Sequence, residues 1–386
     1  MDKRRTDFLV FGRPLIQEEE ISEVIDTLRS GWIGTGAKTL EFEDEFANYI
    51  GSQYACALNS CTAALHLSLL ALDIGSGDEV ITTPMTFCSS ANTIIHVGAK
   101  PVFVDVEKNT FNINTDLIKA AITEKTKAII PVHIAGRPCD MDKIMDIAKE
   151  NNLYVIEDAA HAIESVYKGK KIGTIGDLAC FSFYVTKNIT TAEGGMVTTD
   201  NEDLAQKIKI LSLHGMDNDA WNRYSSQGFK HYDVVCPGFK YNMTDIAASL
   251  GLHQLKKINK FLKRREEIWE IYNKNLKDLP LILPKDPEPN TTHARHLYQI
   301  LIDTDKTNKT RDEILNKLTE ENIGTGVHYK SLHLHKYYKE RFGFKYDDFP
   351  NASYLSDRTL SLPLSPAVTD EDVFDVISAL KRIFEI

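Results

Sequence analysis

Long apolar runs are missing from this 386-residue chain: none reaches the ~18 residues that a membrane-spanning helix requires. The richest stretch, Ala63–Leu72, is interrupted by His66 and Ser68, so no membrane insertion is expected. Nor does an apolar core with a cleavage site follow the charged opening Met1-Asp2-Lys3-Arg4-Arg5, and no signal peptide is expected. Cysteine is sparse, with six residues at 56, 61, 88, 139, 180 and 236 and no Cys-x-x-Cys pair. That argues against a disulfide framework or a zinc site, and it fits a reducing cytoplasm. Basic excess is also lacking. The net charge is −10, which speaks against nucleic acid or an anionic membrane as partner but leaves room for one local anion site. GxGxxG, GxxxxGK[ST], HExxH, EF-hand and GxSxG patterns are all absent. Gly31…Gly36 leads into Ala37-Lys38, but no strand precedes it.

What is present is ordinary globular composition, 42% apolar and 26% charged, in a chain long enough to bury a large core. Residues 17–30 and 38–50 carry helical periodicity, separated by the glycine-rich loop Gly31–Gly36. From residue 54 the text alternates. Short apolar runs (Ala55–Leu58, Glu79–Thr83, Pro101–Val104, Lys127–Pro131, Leu153–Ile156) are each followed by a helix-like segment. That rhythm predicts βα units in a mostly parallel sheet. Two more strands are read at Leu178–Tyr184 and Gly195–Thr198, then a helix over 201–213. A long amphipathic stretch at 244–276 precedes a Pro- and Asn-rich segment, Pro284–Thr292. Beyond it come a strand (His296–Asp303), a helix (Arg311–Glu320) and a closing helix (Asp370–Phe384). The expected division is a large unit, 1–250, including the N-terminal segment, and a linking helix with a small α+β unit, 251–386. The mixed run 259–267 reads as a solvated helix face.

In open α/β sheets, ligands bind beyond the carboxyl ends of the strands, so residues there are the candidates for chemistry. Lys187 stands out among them. It is the only charged residue between Leu178 and Ala192 and follows the apolar run Phe181–Val185. A buried, unpaired ammonium answers its desolvation by losing pKa, and a lysine amine so tuned attacks carbonyls, as in pyridoxal phosphate (PLP) chemistry. The plainer reading is a lysine that snorkels to water. Three neighbours along the sheet favour the chemical one. Asp158 ends a strand in Val155–His161, where a carboxylate can hold a pyridine nitrogen protonated; the plain alternative is a helix cap. Asn59-Ser60-Cys61-Thr62 opens a helix directly after a strand, a site suited to phosphate. Phe87, in Pro84–Cys88, is an aromatic that can stack on a flat ring.

The ordered set Asn59–Leu65, Ile156–Ala162, Phe181-Ser182-Phe183 with Lys187, and Glu193-Gly194-Gly195 resembles the DegT/DnrJ/EryC1 family of sugar aminotransferases. The resemblance runs from Gly31–Gly36 to Leu362-Pro363-Leu364. It implies an α/β fold of the aspartate-aminotransferase-like PLP fold type I: a large domain with a mostly parallel sheet plus a small C-terminal α+β domain. It also implies that Lys187 forms the Schiff base with PLP, and that Asp158 pairs with its pyridine nitrogen. His161 would lie near the cofactor ring or its phenolic oxygen. Ser182, with Ser60 and the amides of Cys61 and Thr62, would hold the phosphate, and Phe87 would stack on the ring. A homodimer with shared sites is implied, in which Lys240 or Asn242 reaches the neighbour's cofactor. Trp32, Thr35, His328 and Tyr329 would meet the substrate.

The implied reaction is ping-pong transamination from L-glutamate, releasing 2-oxoglutarate, to a nucleotide-linked keto sugar, for surface glycan or lipopolysaccharide synthesis. Within the family, Lys187–Thr190 and Thr325–Tyr329 most resemble the branch that makes UDP-4-amino-4-deoxy-L-arabinose, which favours a UDP-4-keto sugar. Cys61 stands where many members have Gly or Ala. A PLP-dependent sugar dehydratase and a non-catalytic regulatory protein on the same fold are the alternatives; the first usually carries histidine at the lysine position. His328, His333 and His335 lack carboxylate or thiolate partners in sequence, so no metal site is expected. His66 and His214 read as structural.

Overall fold

The computed structural model describes residues 4–217 and 232–386. In the first part of the chain the strands are β1 (Tyr54–Leu58), β2 (Glu79–Thr82), β3 (Lys100–Phe103), β4 (Thr126–Ile129), β5 (Tyr154–Asp158), a small hairpin of β6 (Val166–Tyr167) and β7 (Lys170–Lys171), β8 (Leu178–Ser182) and β9 (Gly195–Thr199). A seven-stranded sheet runs in the order β1-β9-β8-β5-β4-β2-β3. Only β9 opposes its neighbours; the rest of the ladder from β8 to β3 is parallel. Every apolar run read as a strand from the sequence overlaps one here. Their near-continuous hydrophobicity follows from burial on both faces, since helices cover each side of a parallel sheet. The helix Cys61–Ala71 is buried almost all round, and Met141–Asn151 buries Met141, Ile144, Ile147 and Ala148. Ser60 and Asp140 cap them, each accepting from a backbone N–H in the first turn.

The predicted helix at 244–276 is one continuous helix, Asp245–Leu276, capped by Thr244. Its first half places Ala248, Leu252, Leu255, Ile258 and Phe261 in the core of the large sheet. Its second half places Ile268, Trp269, Tyr272 and Leu276 in a separate C-terminal core. Gly251 is needed inside this helix, because a Cβ there would press on the Phe42 ring. We propose the division near 250, close to where this linking helix begins; the passage from one core to the other falls farther along it, between Phe261 and Ile268. The C-terminal core rests on an antiparallel sheet of β10 (Leu281–Ile282), β11 (Tyr298–Ile302) and β12 (Thr359–Leu362). Helices Arg311–Glu320 and Asp370–Phe384 stand at the predicted bounds, each opened by a threonine capping box. β12 and the helices Lys336–Phe342 and Pro350–Arg358 were not anticipated.

The mixed run 259–267 departs from a wholly solvated face. Arg265 is among the most deeply buried side chains of the protein, paired with Glu164. The N-terminal segment crosses the molecule as a strap: Leu9 N–H donates to Asn322 O and Gly324 N–H to Leu9 O, both at 2.8 Å. Phe11 then stacks on His328 at 5.4 Å.

Candidate active site

The strand ends converge. β5 delivers Asp158, β8 delivers Ser182, β2 is followed by Phe87, and the helix Cys61–Ala71 begins directly after β1. A cavity of about 420 Å³ gathers Ser60, Cys61, Thr62, Phe87, Asp158, His161, Ser182, Lys187, His328 and Tyr329 along its wall. All were singled out from sequence.

Lys187 sits in the loop after β8, its backbone N–H bonded to Tyr184 O at 2.9 Å. Burial lowers its pKa to about 8, opposed by Cys61 and Asp158. Burial also keeps the Cys61 thiol protonated, well above its ordinary range, with Asp158 and Cys180 adding to the effect. Asp158 therefore supplies the real opposing charge. Its own pKa is raised, chiefly by burial, while hydrogen bonds from Ser90 and Ala160 N–H and the charge of Lys187 resist. Ser90 Oγ donates to Oδ2 at 2.7 Å and Ala160 N–H to Oδ1 at 3.2 Å. A dry carboxylate fixed in this way is a strong acceptor for a ring N–H. Ser90 was missed from sequence, although a serine at the start of the helix after Phe87 was its available signal.

At the opposite end, the first turn of the helix Cys61–Ala71 leaves the amides of Cys61 and Thr62 without partners inside the helix. Gly195 is packed so closely that a Cβ there would collide with the Ser60 carbonyl carbon and the Cys61 amide, so strand and cradle touch directly. Main-chain donors, a helix dipole and Ser182 form a cradle of the kind that takes phosphate. The lysine, the buried carboxylate and this cradle thus fit PLP at three separate points. His161 is held neutral, its pKa pushed well down by burial and then by Lys187 and His328. His328 falls to about 4, by burial and then by Lys187, and its Nδ1 lies 2.9 Å from Ser361 Oγ.

Trp32, Thr35, Lys240 and Asn242 lie outside this wall. Trp32 is exposed, and its indole N–H donates to Thr35 O at 3.1 Å. Thr35 and Asn242 line a second cavity of about 190 Å³ with Glu43 and Lys209. Asn242 is engaged at both ends, donating to Thr35 Oγ1 at 2.5 Å and accepting from Lys240 Nζ at 2.6 Å. Lys240 is exposed. Among the described residues no group of His, Cys, Asp and Glu is arranged to hold a metal, and no helix is long and apolar enough to cross a membrane.

Comparison with known proteins gives a consistent picture. The model of the DegT/DnrJ/EryC1/StrS aminotransferase family matches residues 14–381. The spore coat polysaccharide biosynthesis protein SpsC of Bacillus subtilis is 52% identical over 384 residues, covering 99% of each chain. Among solved structures, Spr1654 of Streptococcus pneumoniae in its PLP form is 38% identical with a TM-score of 0.90, covering 98% of this chain and 99% of that one. Its PMP form gives 39% and 0.90, over 98% of each. Helicobacter pylori PseC, an aminotransferase involved in the biosynthesis of pseudoaminic acid, gives 30% and 0.90, over 98% of this chain and all of its own.

Proposed function

This chain belongs to the DegT/DnrJ/EryC1/StrS aminotransferase family of PLP-dependent sugar aminotransferases, and from that premise we propose that it carries the amino group of L-glutamate to a nucleotide-linked keto sugar. The fold is the fold type I arrangement that the resemblance implied. The observation that carries the reading is the meeting of Lys187, Asp158 and the Ser60–Thr62 cradle on one cavity.

PLP, when bound, supplies an aldehyde for the Lys187 amine and a ring that takes up electrons from the substrate carbon. Asp158 would hold the proton on the ring nitrogen. The amides of Cys61 and Thr62, with Ser182, would bind the phosphate, and Phe87 would lie against the ring. Lys187 would move the proton at the substrate carbon, as base in one direction and acid in the other. Its lowered pKa leaves a useful fraction of neutral amine near neutral pH. The spore coat relative supports a product destined for surface polysaccharide. A UDP-4-keto sugar, with the pentose of the arabinose branch as one member, is the acceptor we favour.

Homodimer formation, with cytoplasmic action, completes the reading. The helix Glu18–Ser30 is inside out: Glu20 is fully buried, bonded to Lys257 at 2.8 Å and to Gln254 at 2.9 Å. Its outer face instead shows Ile21, Ile25 and Leu28, continued by Trp32 and Ile33. Such a stripe at helical spacing calls for a partner surface, and a second copy of the chain supplies one. Lys240, exposed and itself bonded to Asn242, is the side chain we assign to the neighbour's phosphate, because it carries the positive charge. Leu28→Asp is expected to give folded monomers with little turnover, seen by sedimentation and by circular dichroism. A fully active monomeric wild type would refute the shared site.

The test of function is a panel of nucleotide keto sugars offered with L-glutamate. Glutamate alone should bleach the visible band of the bound cofactor, and one panel member should restore it. The same sugar without its nucleotide should react at least about 100-fold less well in kcat/KM, because remote binding energy is then withheld. No bleaching by glutamate, or equal use of the free sugar, would overturn the proposal.

A further inference from the structure

Asn188 follows Lys187 in sequence but turns away from the cavity into a buried polar chain. Its Nδ2 donates to Glu164 Oε2 at 2.5 Å and to Ala294 O at 3.1 Å. Those bonds use both amide hydrogens, so Oδ1 is left as acceptor. His296 Nδ1 lies 2.7 Å from that oxygen and must be the donor. Burial first, and then neighbouring His161 and Lys187, push the pKa of His296 well down, so the ring is neutral and its proton resides on Nδ1.

The His296 ring lies against His161, with centroids 4.3 Å apart and planes at 31°. The backbones are coupled too. His296 N–H donates to Ala135 O at 2.9 Å, and Ala135 N–H donates to His161 Nδ1 at 3.2 Å. An Nδ1 that accepts, in a neutral ring, leaves the proton on Nε2. That nitrogen is 3.2 Å from the Tyr329 hydroxyl. His161 donates there, the tyrosine oxygen accepts, and the hydroxyl proton must turn elsewhere. Tyr329 lines the cavity beside Lys187 and Asp158.

We propose that Asn188 and His296 are positioning residues that steady the His161 ring, whose Nε2–H tautomer the Ala135 N–H sets, so that Tyr329 presents its hydroxyl proton to an oxygen acceptor bound beside Lys187. No net proton transfer is required; the chain fixes orientation alone. The bound oxygen belongs to the cofactor or to the substrate, and this part of the inference rests on the transaminase reading given above.

The experiment is 15N NMR of histidine-labelled, PLP-loaded enzyme with neither donor nor sugar present, so that a wrong sugar assignment leaves the result unmoved. His161 should show a protonated Nε2 and an unprotonated Nδ1, and His296 the reverse. Either ring in the opposite tautomer, or doubly protonated, overturns the proposal, and this holds for the wild type whether or not any variant folds. His296→Phe keeps a ring in the stack but removes the donor to Asn188. It should leave the Ala135 N–H bond to His161 Nδ1 in place but loosen the ring, lowering kcat about tenfold while KM for L-glutamate changes less than about threefold. Unchanged kcat would remove Asn188 and His296 from the assignment. Tyr329→Phe separates the two acceptors. A shifted visible band in the substrate-free holoenzyme identifies a cofactor oxygen, a normal band with lowered kcat identifies a substrate oxygen, and no change in either overturns the role of Tyr329.

Discussion

Lys187→Ala is expected to lower turnover by about 10⁴-fold or more, since it removes the amine that both captures the cofactor and moves the proton. Stopped-flow bleaching by L-glutamate measures this directly, and retained turnover would end the assignment. The same substitution should stabilise the cofactor-free protein. Burial lowers the Lys187 pKa from 10.5 to about 8, so below about pH 8 the folded chain carries a poorly solvated charge that the unfolded chain carries at ease. As pH rises from about 8 toward 10.5, the folded chain releases that proton while the unfolded chain keeps it, and wild-type stability climbs. The advantage of Lys187→Ala is therefore largest at neutral pH and shrinks across that window. Thermal denaturation of both proteins against pH reads it out. A matching kinetic signature is that PLP capture by the cofactor-free chain accelerates up to about pH 8 and then levels, rather than climbing toward 10.5.

Much of this site was legible because parallel sheets gather chemistry at strand ends, and strand ends are marked by where apolar runs stop. Lys187 was conspicuous as the one charge in its window, and Asp158 as the carboxylate closing β5. The antiparallel direction of β9 was less accessible: about a dozen residues separate it from β8, the least a parallel return needs, and only the want of a helical pattern among them argues against one. What escaped was pairing at a distance. Nothing local to Leu9 or Phe11 announces contacts with residues 322–328, which lie at the other end of the chain. The helix Glu18–Ser30 was readable as amphipathic, but its inward face was not, because Glu20 enters the interior only where Lys257 and Gln254 meet it. Arg265 was hidden among its charged neighbours. Its position shares the helical stripe of Ile258, Phe261 and Ile268, all buried, and that period was the available signal.

Arg265→Ala should then be the most damaging substitution for stability, at about 3–5 kcal/mol, because it strands the Glu164 carboxylate in a dry interior. Burial already raises the Glu164 pKa, and the charge of Arg265 is the strongest influence that opposes it. Urea denaturation at neutral pH checks the loss, and at lower pH the gap from wild type should narrow as the orphaned Glu164 protonates. The double replacement Arg265→Met with Glu164→Leu removes both charges and fills a similar volume, so it should recover most of the stability. It should not recover turnover. Asn188 would lose the carboxylate that orients its amide and keep only Ala294 O, so the chain through His296 to His161 and Tyr329 would slacken. A stable double variant with about tenfold lower kcat separates the two roles of the pair. A stable double variant with full kcat would make the Arg265–Glu164 pair purely a matter of folding.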